Sequence, residues 1–472
     1  MRTPSHAGRH PPEGRTHPRR QVFSPNGVPD GKALYRQVTA LKDGIAARAD
    51  PFGVAAPLLH AQLAWLMHPQ ELSERMAALT TDLWQLQWHS FHRSVGLPSP
   101  DPVRPHADDP RFADPVWTES PTWDLVKVTP WINKFYVLDL NPKKSMVRYL
   151  LDQGLDVFIT SWKNPDESMR DVSFDDYIRD GVDAIVQVAR EFSGADRVHA
   201  VGYCIGGTAL AIYMAWAARH FGEEAVPVRD WTLLTTLVDF HKPGDIEVFI
   251  DEGSVAHLTA QMERKGYLDG KDMASSFRLL RSNSLVWHYV VHGWLYGEAP
   301  APFDVLHWNM DTTRMPYAMH AWYLRELYLN NHLIQPGALT VAGEPIDLHA
   351  IRQPLYAVAA EDDHIAPWTQ AFRTLHHIAA DKRFVLSSSG HILGIVNPPV
   401  RPAKRRYWVG SAHRTDKAAQ WRDRAETHAG SWRDDWMAWL KPRAGELVPA
   451  RPAFDERHPS LGDAPGTYVL EP

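Results

Sequence analysis

The run Gly202-Tyr203-Cys204-Ile205-Gly206-Gly207 constrains the fold of this 472-residue chain more than any other stretch. A reactive side chain with glycines on both sides at this spacing marks a sharp strand-to-helix turn. The central residue is strained there, and neighbouring segments pass too close for a Cβ. The flanks agree. Asp196 to Val201 reads as a short buried strand, and Thr208 to Arg219 (TALAIYMAWAAR) as a largely apolar helix. Such a turn aims the sulfur at the helix N-terminus, where the dipole and free N–H groups favour negative charge. Cys204 is also the sole cysteine, which excludes an intrachain disulfide framework and suits a reducing compartment.

From about Trp123 strands alternate with helices. The predicted strands are Leu125–Val128, Val157–Ser161, Val198–Val201, Trp231–Leu237, Leu355–Ala359 and Arg383–Leu386, with a helix such as Tyr177–Phe192 between two of them. That rhythm predicts a doubly wound, mostly parallel sheet. It breaks between Asp239 and Asn331, where the chain becomes aromatic and helical, so residues 239–335 read as a cap inserted over the site, within an α/β domain of residues 119–445. Upstream, residues 1–30 are basic and proline-rich without an apolar signal core, and are expected to be disordered. Residues 31–118 are expected to form a helical region, with Pro69 opening a helix that carries Leu72, Met76, Leu79, Leu83 and Leu86. Residues 446–472 form a C-terminal extension. A net charge of −6 with both signs interspersed points to no nucleic-acid partner, and no run of eighteen apolar residues predicts a transmembrane segment.

A thiol nucleophile needs a base to take its proton and a carboxylate to orient that base. The order nucleophile, acid, histidine is that of the α/β-hydrolase architecture. The acid lies in Ala360-Glu361-Asp362-Asp363-His364-Ile365-Ala366-Pro367-Trp368, just after a predicted strand, with Asp362 and Asp363 both eligible by spacing. The histidine lies in Ser387-Ser388-Ser389-Gly390-His391-Ile392-Leu393-Gly394, after the next strand. Sites in open α/β sheets gather at such strand ends, and this position singles out His391 among 25 histidines. His364 adjoins the acid and is expected to pack or fix its loop.

GYCIGGT, EDDHIAPW and SSSGHILGIVNPP together resemble the polyhydroxyalkanoate (PHA) synthases, the polymerases of bacterial storage polyesters. WINKFYVLDL from Trp131, SWKNPD from Ser161 and Trp308-Asn309-Met310-Asp311 resemble the same family, as do the helical stretch at about 50–96 and the closing APGTYV. The resemblance implies that Cys204 is the acyl acceptor, His391 the general base and Asp363, rather than Asp362, the third member. It further implies an (R)-3-hydroxyacyl-CoA substrate, a growing polyester on a granule surface in the cytoplasm, and a homodimer. No metal and no cofactor are expected, the CoA thioester being substrate.

Sulfur suits this chemistry, because an acyl group moved from CoA to Cys204 stays a thioester and remains reactive toward the next hydroxyl. The oxyanion is expected on the backbone N–H of Ile205, with a second donor from the loop at Trp131 and Ile132. Trp308, Asp311 and His364 are candidates for the substrate channel. Trp287, Tyr289, Trp294, Trp322 and Tyr323 are candidates for its aromatic wall, which must exclude water. The sequence departs from the family in two places. Thr129-Pro130-Trp131 replaces a Pro-Pro-Cys form, and the passage from Trp123 to Val128 is short, as though an internal deletion had removed the first strands of the sheet and left an edge uncovered. The alternatives are a cysteine-dependent thioesterase or polyester hydrolase, and an inactive granule-associated homologue.

Overall fold

A computed structural model describes residues 124–272, 304–400, 402–444 and 457–471. The expectations for residues 1–118 and for Trp287, Tyr289 and Trp294 lie outside the described residues. Eight strands form the central sheet: β1 (Asp124–Val128), β2 (Asp156–Ile159), β3 (Val198–Tyr203), β4 (Val228–Leu234), β5 (Leu355–Ala360), β6 (Lys382–Ser387), β7 (Arg406–Ser411) and β8 (Glu426–Ala429). Their order across the sheet is β8-β7-β6-β5-β4-β3-β1-β2. The pairs from β2 through β6 are parallel, and β6–β7 and β7–β8 are antiparallel. The mostly parallel sheet expected from the sequence is thus present, and all six predicted strands are in it. The fourth begins and ends three residues earlier than its apolar run suggested. Among the described residues no strand lies beyond β2.

Strands buried on both faces read as unbroken apolar runs, and β3 (VHAVGY) and β5 (LYAVAA) are buried throughout. Alternation along each strand divides the core between the two faces of the sheet. Val126, Ala200, Ala359 and Phe384 join one cluster, and their neighbours Leu125, Val201, Val358 and Val385 join the other. Lys127 breaks the pattern. It is fully buried on β1 and its amine has no partner, so burial and the nearby Arg433 charge hold its pKa well below the ordinary range.

The chain runs from β1 outward to β2 and then returns to the other side of β1 as β3, so strand order reverses between β1 and β3. A crevice opens at the carboxyl ends of strands at such a point. Helix α1 (Met146–Leu151) leads into β2. Ser173 caps the next helical stretch, which passes through a π segment at Tyr177–Asp183 into α2 (Ala184–Ser193) and ends at Gly194 in the left-handed region. Within the π segment a Cβ on Gly181 would meet the Trp162 ring at 2.8 Å, so only glycine lets the indole lie against the helix there. Helix α3 (Ile205–His220) is buried from Ile205 to Ala218, which explains its apolar character on every face.

Between β4 and β5 the chain leaves the sheet and forms the cap. Helix α4 (Glu252–Lys265) and α5 (Asp304–Met310) precede α6 (Tyr317–Tyr323), which continues as a π segment from Leu324 to Leu329. A two-residue pairing of Tyr267–Leu268 with Met315–Pro316 ties the cap to itself. Helix α7 (Trp368–His377) follows β5, and α8 (Trp432–Ala444) follows β8. No described helix is long and apolar enough to cross a membrane.

Candidate active site

Cys204 sits between the end of β3 and the first residue of α3 with φ 53° and ψ −123°, a strained conformation for a residue with a Cβ. The strain is held by close passage on three sides. A Cβ on Gly202 would lie 2.4 Å from the Gly207 Cα, and one on Gly206 would lie 2.5 Å from the Val128 carbonyl oxygen and 2.6 Å from that of Thr129. A Cβ on Gly207 would strike the Thr236 hydroxyl. The glycines therefore let the loop after β1 and the segment after β4 close on the elbow.

His391 follows β6 and Asp363 follows β5, and both are buried. Asp363 Oδ2 lies 2.7 Å from His391 Nδ1, and its Oδ1 accepts from the N–H groups of Ile365 at 2.9 Å and Ala366 at 2.8 Å. The carboxylate is thus held by its own loop while it faces the imidazole. Asp362 instead donates its backbone N–H to Ser389 at 3.0 Å. Charge on Cys204 acts on the His391 imidazole, and the Tyr203 ring stacks on that ring at 5.7 Å. Trp432 and Arg433 of α8 hold the chain just beyond the histidine. The Trp432 indole donates to the Gly394 carbonyl at 3.0 Å, and the Arg433 guanidinium to the Val396 carbonyl at 2.8 Å.

Burial opposes a charge on His391, but the Asp363 and Cys204 charges outweigh it and hold the imidazole pKa well above its ordinary value. A histidine whose folded pKa is raised contributes stability that is complete below its unfolded pKa of about 6.5 and is lost as pH climbs through the folded value. Asp363→Asn should therefore destabilise the protein most at and below about pH 6.5. The difference should narrow through the alkaline range. Parallel thermal melts of the two proteins from pH 5.5 to 10 check this, and a gap independent of pH would show that the pair is not ionised in the folded state.

Ile205 is the first residue of α3, whose leading N–H groups have no carbonyl one turn behind them. The loop carrying Trp131 and Ile132 leaves β1 across from it. Thr313 fixes that loop, its hydroxyl donating to the Trp131 carbonyl and its N–H to the Ile132 carbonyl at 3.2 Å. Trp131 is buried in a cluster with Tyr177 at 4.9 Å, Trp162 at 5.8 Å and Phe174 at 6.2 Å, and its indole N–H has no partner. Phe174 stacks in turn on Trp322 of the cap at 4.6 Å.

Trp308 and Asp311 bind this loop to the cap. The Trp308 indole donates to the Lys134 carbonyl at 2.7 Å, and the Asp311 carboxylate receives the Tyr136 hydroxyl at 2.8 Å and pairs with Lys134 at 3.0 Å. The Lys134 ammonium also donates to the carbonyls of Val469 at 2.7 Å and Glu471 at 2.8 Å, which docks the C-terminal segment on the same loop. His364 serves the acid loop, its carbonyl accepting the Asp245 N–H at 3.1 Å.

Two neighbours of the site escaped sequence reasoning. Tyr323 was expected on the wall, but Tyr328 was not, because residues five apart on an α-helix point about 140° away from each other. The π segment closes that angle and brings the rings to 5.3 Å, with Phe240 against Tyr328 at 4.8 Å. Tyr323 is buried and Tyr328 partly so, both feel the Cys204 charge, and burial first of all pushes the Tyr328 hydroxyl up to about 12. His320 stacks near Tyr323 at 6.0 Å with both ring nitrogens unpartnered, and burial brings its pKa down to about 4. Among the described residues no group of three or more histidine, cysteine or acidic side chains is placed to hold a metal.

A family model described as the alpha/beta hydrolase fold matches residues 137–398. The poly(3-hydroxyalkanoate) polymerase subunit PhaC of Rhizobium meliloti is 44% identical over 345 residues, covering 73% of this chain and 55% of that protein. The subunit of the same name from Cupriavidus necator is 43% identical over 351 residues, covering 73% of this chain and 59% of the relative. An esterase structure from Exiguobacterium antarcticum matches 58% of this chain and 86% of its own with a TM-score of 0.34 and 14% identity. The resemblance read from the motifs is borne out by these two polymerase relatives, and the chain spans a little over half the length of each.

Proposed function

The chain belongs to the α/β-hydrolase family, and we propose that it is a polyester synthase that takes the acyl group of an (R)-3-hydroxyacyl-CoA onto Cys204 and lengthens the polyester when the 3-hydroxyl of the next unit attacks that acyl-cysteine. The observation that carries this reading is a thiol at the strained apex of the elbow, electrostatically coupled to a histidine whose Nδ1 meets a buried carboxylate at 2.7 Å. The polymerase names of the relatives at 44% and 43% identity support the choice of acceptor.

In the first half-reaction His391 takes the thiol proton. The sulfur then attacks the thioester carbonyl, and CoA leaves with a proton returned by the imidazolium. The developing oxyanion is met by the Ile205 N–H and by a second donor from the Trp131–Ile132 loop. In the second half-reaction the 3-hydroxyl of the next unit gives its proton to His391 and attacks the acyl-cysteine, and the ester bond that forms replaces the thioester that breaks. Asp363 holds the tautomer and orientation of His391 and offsets its charge.

The test gives purified protein (R)-3-hydroxybutyryl-CoA and follows thiol release together with insoluble polyester, with Cys204→Ala as control. CoA release with polymer is the expected result. Release with free 3-hydroxybutyrate would assign a hydrolase instead. No release above the Cys204→Ala control from folded protein would remove the catalytic reading altogether.

A further inference from the structure

We infer that Asp239 is a positioning residue that sets the gap between the cap and Cys204. It is the first residue of the cap insertion, and its side chain is wholly buried. Its Oδ1 accepts from the His241 N–H and from the Asn331 amide, each at 3.0 Å. Its Oδ2 accepts from the Arg373 guanidinium at 2.6 Å, with His377 at 3.7 Å. Asn331 closes the ring, its Oδ1 accepting the Phe240 N–H at 2.9 Å. Asn331 stands at the far end of the cap with φ 49°, a left-handed conformation that asparagine tolerates better than most residues. One carboxylate thereby joins both ends of the insertion to each other and to α7 of the core.

Each partner leads to the site. Three residues before Asp239, Thr236 fills the space beside Gly207 of the elbow, and the Leu237 carbonyl accepts the Thr208 hydroxyl at 2.8 Å. Five residues after it, Gly244 passes so near the His364 carbonyl that a Cβ would lie 2.3 Å away, and the next N–H, of Asp245, bonds that carbonyl. His364 follows Asp363 directly. Phe240, fixed by its N–H, carries the ring that packs on Tyr328 and, at 6.3 Å, on Tyr323. Elbow, acid loop and aromatic wall are therefore referred to one buried anion. Its partners, both charged and neutral, outweigh the burial that opposes ionisation, and Asp239 stays a carboxylate far below the usual range.

Releasing this ring lets the wall swing from Cys204 without touching the thiol, the imidazole or Asp363. The test uses Cys204 as its own reporter, since it is the only thiol in the chain. Asn331→Gly keeps the left-handed backbone and deletes both side-chain bonds, and Asp239→Asn weakens the anchor itself. Alkylation rates are compared for iodoacetamide and a bulky N-arylmaleimide. The variants should raise the bulky-to-small rate ratio by about tenfold. Phe158→Leu, which loosens the packing of β2 on α2 at the sheet edge away from the cap, serves as a control for general destabilisation and should leave the ratio near wild type. A second readout rests on the synthase reading: the fraction of acyl groups released as free acid instead of polymer should rise in the same variants, as water enters. An unchanged alkylation ratio in folded Asn331→Gly overturns the positioning role whatever the substrate proves to be. Absent polymer in the wild type overturns only the synthase reading.

Discussion

Cys204→Ser should release about one CoA per chain and then all but stop making polymer. Transfer from the CoA thioester to a serine hydroxyl is downhill, so the first acyl group can move. The product is an oxygen ester, and its transfer to the next hydroxyl exchanges one ester for another with no driving force left. The hydroxyl is also the weaker nucleophile beside an imidazole placed for a thiol, so turnover should fall by about a thousandfold or more. Intact-protein mass spectrometry after mixing with (R)-3-hydroxybutyryl-CoA reads the trapped acyl group, and Cys204→Ala should show none. Polymer formation by the serine variant at a rate near wild type would mean that the residue at the elbow is not the acyl carrier.

Gly206→Ala should have the second largest effect, and it should act on rate more than on folding. The added methyl meets two main-chain carbonyls, of Val128 and Thr129, at 2.5 and 2.6 Å, and neither can rotate away as a side chain would. The loop after β1 must therefore shift, at a cost of about 1–3 kcal/mol in overpacking. That loop carries Trp131 and Ile132, so on the proposed reading a donor to the oxyanion moves with it, and loss of one such donor lowers kcat by about a hundredfold to a thousandfold. Gly410→Ala on β7 provides the contrast. Its methyl would have nothing nearer than the Trp421 ring nitrogen at 3.6 Å, so activity and melting temperature should stay close to wild type. Steady-state CoA release below the melting transition, with thermal melts alongside, separates the two effects. Equal losses of stability and rate in Gly206→Ala would reduce the loop's role to packing.

The parts of the site set by local chemistry were legible in the sequence. The elbow could be read because three glycines crowded around Cys204, itself at positive φ, leave few other solutions for the chain. Asp363 and His391 could be read as a region, since each ends a strand whose apolar run is plain. Spacing alone left Asp362 and Asp363 level. What separates them is which carboxylate faces the imidazole, and that depends on the turn formed by Ile365 and Ala366. Strands β7 and β8 were missed for a physical reason. Arg406 to Ser411 has its charge and glycine at the ends of a short apolar centre, and Glu426 to Ala429 is exposed throughout, so neither carries a period-two pattern. Lys127 was unreadable too, because nothing in its neighbours marks a buried amine. The Asp239 ring joins residues 92 and 134 positions apart in sequence, and contacts at such range leave no local trace.

The bonds from Trp432 and Arg433 to the chain beyond His391 have a consequence for the order in which the protein matures on the ribosome. The elbow needs β1, β3, β4 and the residues between them, all of which emerge early. The base is held by side chains that leave the exit tunnel some forty residues after it, as the sequence numbers of Gly394 and Trp432 imply. A nascent chain that lacks α8 therefore lacks the two side chains that hold the segment after His391. On the proposed reading, acyl transfer waits for α8.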